Sequence, residues 1–240
     1  MVSVYFDLND IRQGVITLLI AAMICIAAVA AVRMLFKVSS ELSRKLVHLG
    51  VVAIACVWIY AFEYWTDAVI CMAAFVILVY PILILLEKTG LIKILNNIVH
   101  ERGAGELRMS LVAVGCMVMI VATVCCGIFN DRILAISSIL SWGPGDALAA
   151  LVGKKYGVHK IGKEKKKSLE GTFTMGITSA VCVFGVLFFG TELPLILTVP
   201  ASVIVGIISA FTELHVLNGL DTIICPVVSM VVLIAVRMLL

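Results

Sequence analysis

Eight stretches of this chain carry no Asp, Glu, Lys or Arg: residues 13–32, 46–62, 68–86, 109–130, 133–145, 171–191, 193–212 and 222–236. Most run to about 17–22 residues, and at 1.5 Å rise per residue that spans a hydrocarbon layer of roughly 30 Å. Two are shorter. The fifth is interrupted by Asp146 and resumes to Gly153, and the eighth meets Arg237, which can snorkel to the interface near the end of a helix. The runs are continuous rather than alternating, so helices are expected and not a barrel. The expected fold is an all-α polytopic membrane protein, a bundle of seven or eight transmembrane helices forming one integral-membrane domain over 1–240. Composition agrees. Apolar residues make up 62% and charged residues 14%, against about 25% charged in an ordinary soluble domain. A water-soluble globule could not cover its core with so little polar surface, and disorder requires the opposite composition.

The first run does not read as a cleaved signal peptide. Asp7 and Asp10 precede it, its apolar stretch is too long, and no small-residue cleavage site follows. The eight cysteines lie in apolar runs without CxxC spacing and read as small buried hydrophobes.

Basic residues collect in alternate connections. Loop 37–45 holds Lys37, Arg44 and Lys45 against Glu41. Loop 87–108 holds Lys88, Lys93, Arg102 and Arg108 against three Glu, and loop 154–170 holds seven Lys against Glu164 and Glu170. By the positive-inside rule these face the cytoplasm, which puts the N-terminus outside. An inner-membrane location with the active face toward the cytoplasm is expected. Segment 89–100 is apolar at helical spacing and suits a short interfacial helix, or an ordinary loop helix. The connection 213–221 falls on the same side yet holds Glu213 and Asp221 and no Lys or Arg. A local violation of the charge pattern is where function is expected.

Candidate chemistry follows from polar groups in costly places. Asp146 lies inside an apolar segment, directly after Gly143, Pro144 and Gly145. Those residues predict a helix break, and irregular backbone at membrane depth needs protein or a polar cavity around it. The carboxylate could equally cap the helix that begins after Pro144, and the two roles are compatible. The basic segment 153–171 suits a polyanion such as a nucleotide triphosphate or lipid headgroups. Within it, Gly157 to Lys163 fits G-x-x-x-x-G-K, but Glu164 follows where Ser or Thr is needed and no strand precedes, so a P-loop is rejected. Lys167-Ser168-Leu169-Glu170-Gly171 places a cation, a hydroxyl and a carboxylate directly before a membrane helix, whose N-terminus favours phosphate. Glu213 and Asp221 add two carboxylates on the expected side of Asp146. Hard cations such as Mg2+ take oxygen ligands and bridge phosphates, and carboxylates with lysines at one depth suit phosphoryl or nucleotidyl transfer. Arg44, Lys45 and His48 open the second run, with Arg44 and His48 one turn apart on one face. They suit a phosphate or a lipid hydroxyl, or serve as a positive anchor. The four histidines are too scattered for zinc, and no serine nucleophile elbow is present.

Several of these residues resemble the CTP-dependent lipid-alcohol kinases, the family of dolichol kinase, phytol kinase and the CTP-using diacylglycerol kinase. The resemblance is carried by Gly145-Asp146-Ala147 with Ala149-Ala150, Gly153 and Gly157, and by Lys167-Ser168-Leu169-Glu170-Gly171. Arg44-Lys45 with His48, and the late Glu213, Asp221 and Pro226, add to it. One departure is Thr222, where the family usually has Asn. The resemblance implies transfer of the CTP γ-phosphate to the hydroxyl of a membrane lipid with Mg2+. It implies that Asp146, Glu213 and Asp221 are the catalytic and metal-binding acids. It implies that Arg44, Lys45, His48, Gly145, Lys163, Lys167, Ser168, Glu170, Gly171 and Thr222 contact nucleotide or substrate. The partners implied are CTP, a lipid alcohol and the bilayer, with no nucleic acid. Two other readings stay open. A phosphatidate cytidylyltransferase would use similar groups, although its late Lys-Asp and His-Gly-Gly patterns are not visible. A small ion-coupled transporter would use Asp146 as an ion site, although no internal repeat is evident and the polar residues gather at one face.

Overall fold

The computed structural model describes residues 8–90, 105–161, 167–216 and 219–238. Eight helical spans are long and apolar enough to cross a membrane. The first four are α1 (Leu8–Phe36), α2 (Ser40–Ala61), α3 (Trp65–Thr89) and α4 (Glu106–Val121), the last continuing as a wider π-helical stretch over Ala122–Ile128. The fifth span is built from two helices, α5 (Arg132–Leu140) and α6 (Gly143–Tyr156). A two-stranded ladder of β1 (Lys160–Ile161) and β2 (Lys167–Ser168) follows, then α7 (Leu169–Gly190), α8 (Leu195–His215) and α9 (Asp221–Met238). Among the described residues the spans thus number eight, the larger of the two expected counts. The helices outrun the charge-free stretches because charged residues such as Glu41, Lys88, Glu106 and Asp221 occupy helical end turns. Beyond Gly90, which ends α3 in a left-handed conformation, the interfacial helix expected over 89–100 lies outside the described residues.

Most spans expose large apolar side chains, such as Phe189 at 86% and Ile196 at 79%. Water would penalise that surface, whereas lipid tails do not.

The chain forms two compact units, Met1–Thr123 and Val124–Leu240. In the first, α1 packs on α2 and α3, and α3 on α4. Small residues permit the approach: a Cβ added at Gly14 would lie 2.7 Å from Cys71 Sγ and 2.8 Å from the Phe62 ring. Ser39 caps α2 by accepting from the Leu42 amide at 3.3 Å.

In the second unit α7 packs against α5, α6 and α8, while α9 packs against α8 and α5. The sequence of α7 writes this arrangement at four-residue spacing, since residues four apart share a helix face. Gly171, Met175, Ser179, Val183 and Leu187 form its buried stripe, whereas Phe173, Ile177 and Val181 are each more than 60% exposed. Its partner α6 presents Gly145, Ala149, Gly153 and Gly157, also four apart. A Cβ at Gly145 would meet Met175 Sδ at 2.5 Å and Ser179 Oγ at 2.9 Å, and one at Gly153 would meet Ser168 Oγ at 2.9 Å. The crossing of α7 with α8 is as close: a Cβ at Gly206 would lie 2.5 Å from the Gly176 carbonyl oxygen. Lipid provides no hydrophobic drive for helix association, so close backbone approach through small residues supplies the packing instead.

The break between α5 and α6 falls at Ser141 and Trp142, just upstream of Gly143-Pro144-Gly145, which begins α6. Proline is tolerated there because a first-turn N–H has no intrahelical partner to lose. Both break residues are buried, Ser141 at 0% and Trp142 at 1% exposure. The freed Ser141 carbonyl accepts a hydrogen bond from the Ser179 hydroxyl of α7. Irregular backbone inside this span is therefore enclosed by protein, as membrane depth demands.

Candidate functional site

Four polar side chains of the second unit converge from different elements. Asp146 sits in the first turn of α6, Lys167 on β2, Glu213 in the last turn of α8, and Asp221 at the start of α9. Lys167 Nζ pairs with Glu213 Oε1 at 2.8 Å and donates also to the Glu213 backbone carbonyl. Glu213 lies within electrostatic range of Asp146 and Asp221, and Asp221 within range of Asp146 and Lys167. Asp146 and Asp221 thus lie within electrostatic reach of the Lys167–Glu213 pair. The thiol of Cys225, one turn after Asp221 and fully buried, lies within range of all four.

Local folding explains how each arrives. Asp221 is held by the turn before α9, where the Gly219 amide donates to its Oδ1 at 3.0 Å. A carboxylate in a first helical turn is favoured by the free N–H groups and the dipole; Asp146 and Asp221 both occupy such turns. Glu213, at the opposite polarity in the last turn of α8, takes its compensation from Lys167. Gly145 and Thr222 flank the acids: Gly145 is buried at the α6–α7 crossing, and Thr222 follows Asp221, whose carboxylate interacts with its backbone amide.

The turn Lys167-Ser168-Leu169-Glu170-Gly171 divides its labour. Only Lys167 reaches the acids. Ser168 is 3% exposed and caps α7, accepting from the Gly171 amide at 3.2 Å. Its hydroxyl also fills the notch left by Gly153 and Gly157; a Cβ at Gly157 would sit 2.6 Å from it. Gly171 is needed for the same close approach, with the Ala149 carbonyl oxygen 3.0 Å from where its Cβ would be. Glu170 turns to His159: its Oε1 accepts from the His159 amide at 3.2 Å and lies 2.8 Å from the His159 Nδ1. Residues 153–171, expected as a loop, hold the end of α6 and an antiparallel ladder pairing Lys160 with Ser168 and Ile161 with Lys167. Lys163 lies outside the described residues.

Arg44, Lys45 and His48 stand on α2, in the first unit. Arg44 pairs with Glu41 at 2.6 Å and reaches Glu106 of α4 at 3.9 Å. Lys45 is 4% exposed and His48 half-buried, both with partners of their own. Arg108 pairs with Glu87 at 2.8 Å, which joins α4 to α3.

Among the described residues no three His, Cys, Asp or Glu side chains stand close enough to enclose a metal directly. The donor chemistry nonetheless suits Mg2+, which keeps several waters and usually binds through one or two carboxylates plus substrate phosphates rather than an all-protein cage. In the sequence His159 stands only as one of four scattered histidines, and Gly153 and Gly157 stand as motif letters rather than as a helix-crossing face. The four-residue spacing of Gly145, Ala149, Gly153 and Gly157 was the available signal for the second. None existed for the first, because His159 and Glu170 are eleven residues apart in the chain.

Comparison with known proteins agrees with a kinase resemblance over part of the chain. A stretch of 60 residues is 52% identical to dolichol kinase EVAN of Arabidopsis thaliana, covering 25% of this chain and 10% of that protein. No protein-family model and no solved structure matches the chain.

Proposed function

We propose that this chain is a CTP-dependent lipid-alcohol kinase that transfers the γ-phosphate of CTP to the hydroxyl of a polyprenol, phytol-like lipid or diacylglycerol at the cytoplasmic face of the membrane. The observation that carries the reading is the convergence of Asp146, Lys167, Glu213 and Asp221 from four elements of one unit. The partial identity to dolichol kinase EVAN supports it. Acids at the ends of membrane helices would meet a lipid hydroxyl at the depth where such a group lies. In the reaction the lipid oxygen bonds to the γ-phosphorus, the bond from that phosphorus to the β–γ bridging oxygen breaks, and CDP leaves. The hydroxyl proton passes to a carboxylate of the group. Lys167 faces the charge that develops on the transferring phosphoryl. One or two of the carboxylates of Asp146, Glu213 and Asp221 would hold Mg2+ together with the substrate phosphates, and the chemistry it supplies when bound is neutralisation of the phosphate oxygens.

The test uses membranes containing the protein, CTP labelled at the γ- or the α-phosphate, and a panel of lipid alcohols. γ-Label in a lipid alcohol, lost with EDTA and restored by Mg2+, is the expected result. α-Label in lipid would replace the proposal with a cytidylyltransferase. No label from either, with solute uptake into vesicles, would replace it with a transporter.

A further inference from the structure

We propose that His159 and Glu170 are positioning residues whose pairing sets the register of the β1–β2 ladder and thereby aims Lys167 at the acids. Glu170, in the first turn of α7, engages both the backbone amide and the ring Nδ1 of His159, at 3.2 and 2.8 Å. The Leu169 amide donates to the His159 carbonyl at 2.9 Å. Three contacts thus clamp one residue, and that residue directly precedes β1. From there the ladder pairs Lys160 with Ser168 and Ile161 with Lys167.

Register decides function here because successive side chains of a strand point to opposite sides. Ser168 turns into the notch of Gly153 and Gly157, while its neighbour Lys167 turns to Glu213. A slip of one residue would reverse both, pointing Lys167 away from the acids. A ladder of two residues per strand has few hydrogen bonds with which to resist such a slip, so the clamp at its open end does the specifying. The ring of His159 is 72% exposed. An ion pair so open to water adds little stability, so its loss should displace Lys167 without unfolding the chain.

The positioning claim stands on the geometry, and its consequence for turnover rests on the kinase reading. The experiment separates the two. The full-length protein in detergent is treated with a carbodiimide, which couples paired Lys and Glu side chains, and the Lys167–Glu213 crosslink is quantified by mass spectrometry. The expected result is a strong crosslink in the parent, a several-fold fall in His159→Ala and in Glu170→Gln, and recovery in His159→Asn, whose amide nitrogen can occupy the place of Nδ1. In the same proteins kcat/KM for γ-phosphate transfer should fall about tenfold or more in His159→Ala, since small misplacements at a reacting centre are costly. The KM for the lipid acceptor should stay near that of the parent. Parent-level crosslinking in both His159→Ala and Glu170→Gln overturns the proposal, as does a fall in His159→Ala that Asn does not restore. If no protein transfers phosphate, the kinase reading fails while the crosslinks still decide the positioning claim.

Discussion

At the scale of single residues, the site is organised by which charges have a partner built into the fold. Glu213 and Lys167 answer each other across 46 residues of sequence, with side chains 13% and 23% exposed. Such a pair lies between the exposed and the buried limits, so a double-mutant cycle on Lys167→Met and Glu213→Gln should return a coupling of about 1–2 kcal/mol in thermal unfolding. Asp146 differs in kind. It stands in the first turn of a helix that begins inside a membrane span, where a carboxylate is costly unless it has work to do. Asp146→Asn keeps the size of the side chain but removes its charge and turns one acceptor oxygen into an NH2 donor. We expect it to lower γ-phosphate labelling of lipid about 100-fold or more, with helical content by circular dichroism and membrane insertion unchanged. Activity near the parent's would remove Asp146 from the machinery.

Elements are held together by absences of side chain rather than by bulk. The α7–α8 crossing rests on Gly176, Ala180, Gly206 and Ala210, and a Cβ at Gly206 would press on the Gly176 carbonyl and, at 3.1 Å, on the Ala180 amide. Both obstacles are backbone, so neither can rotate aside. Gly206→Ala should therefore destabilise by about 1–3 kcal/mol, the usual cost of overpacking. Gly185, on α7, has nothing within 4 Å of its missing Cβ, so Gly185→Ala should be neutral or gain up to about 1 kcal/mol from helix propensity. Parallel thermal melts of the two variants in detergent check the contrast. Equal effects would mean that helix propensity, not contact, governs these positions.

For the molecule as a whole, the bilayer is the solvent that makes eight apolar helices with exposed Phe, Ile and Val stable. The basic residues are distributed so that the N-terminus should face outward and the Lys-rich segment 162–166 inward. An epitope inserted in that segment should be reached by antibody in inside-out vesicles and protected in intact cells. The reverse pattern would place the acids on the other face and remove cytosolic CTP as their donor.

The linear sequence was enough to mark seven or eight spans and their helical character, because hydropathy over about 20 residues is a local property that lipid reads segment by segment. It also marked Asp146, Glu213 and Asp221, since acids in or beside apolar runs stand out without any knowledge of packing, and Gly143-Pro144-Gly145 announced a break to within two residues. Tertiary structure alone decided the rest: that Lys167 meets Glu213, that Ser168 is sealed into a glycine notch, and that Glu170 turns to His159. Those outcomes depend on how closely helices cross and on the register of a two-residue ladder. Both are set by contacts between residues far apart in the chain, and no local pattern of composition encodes them.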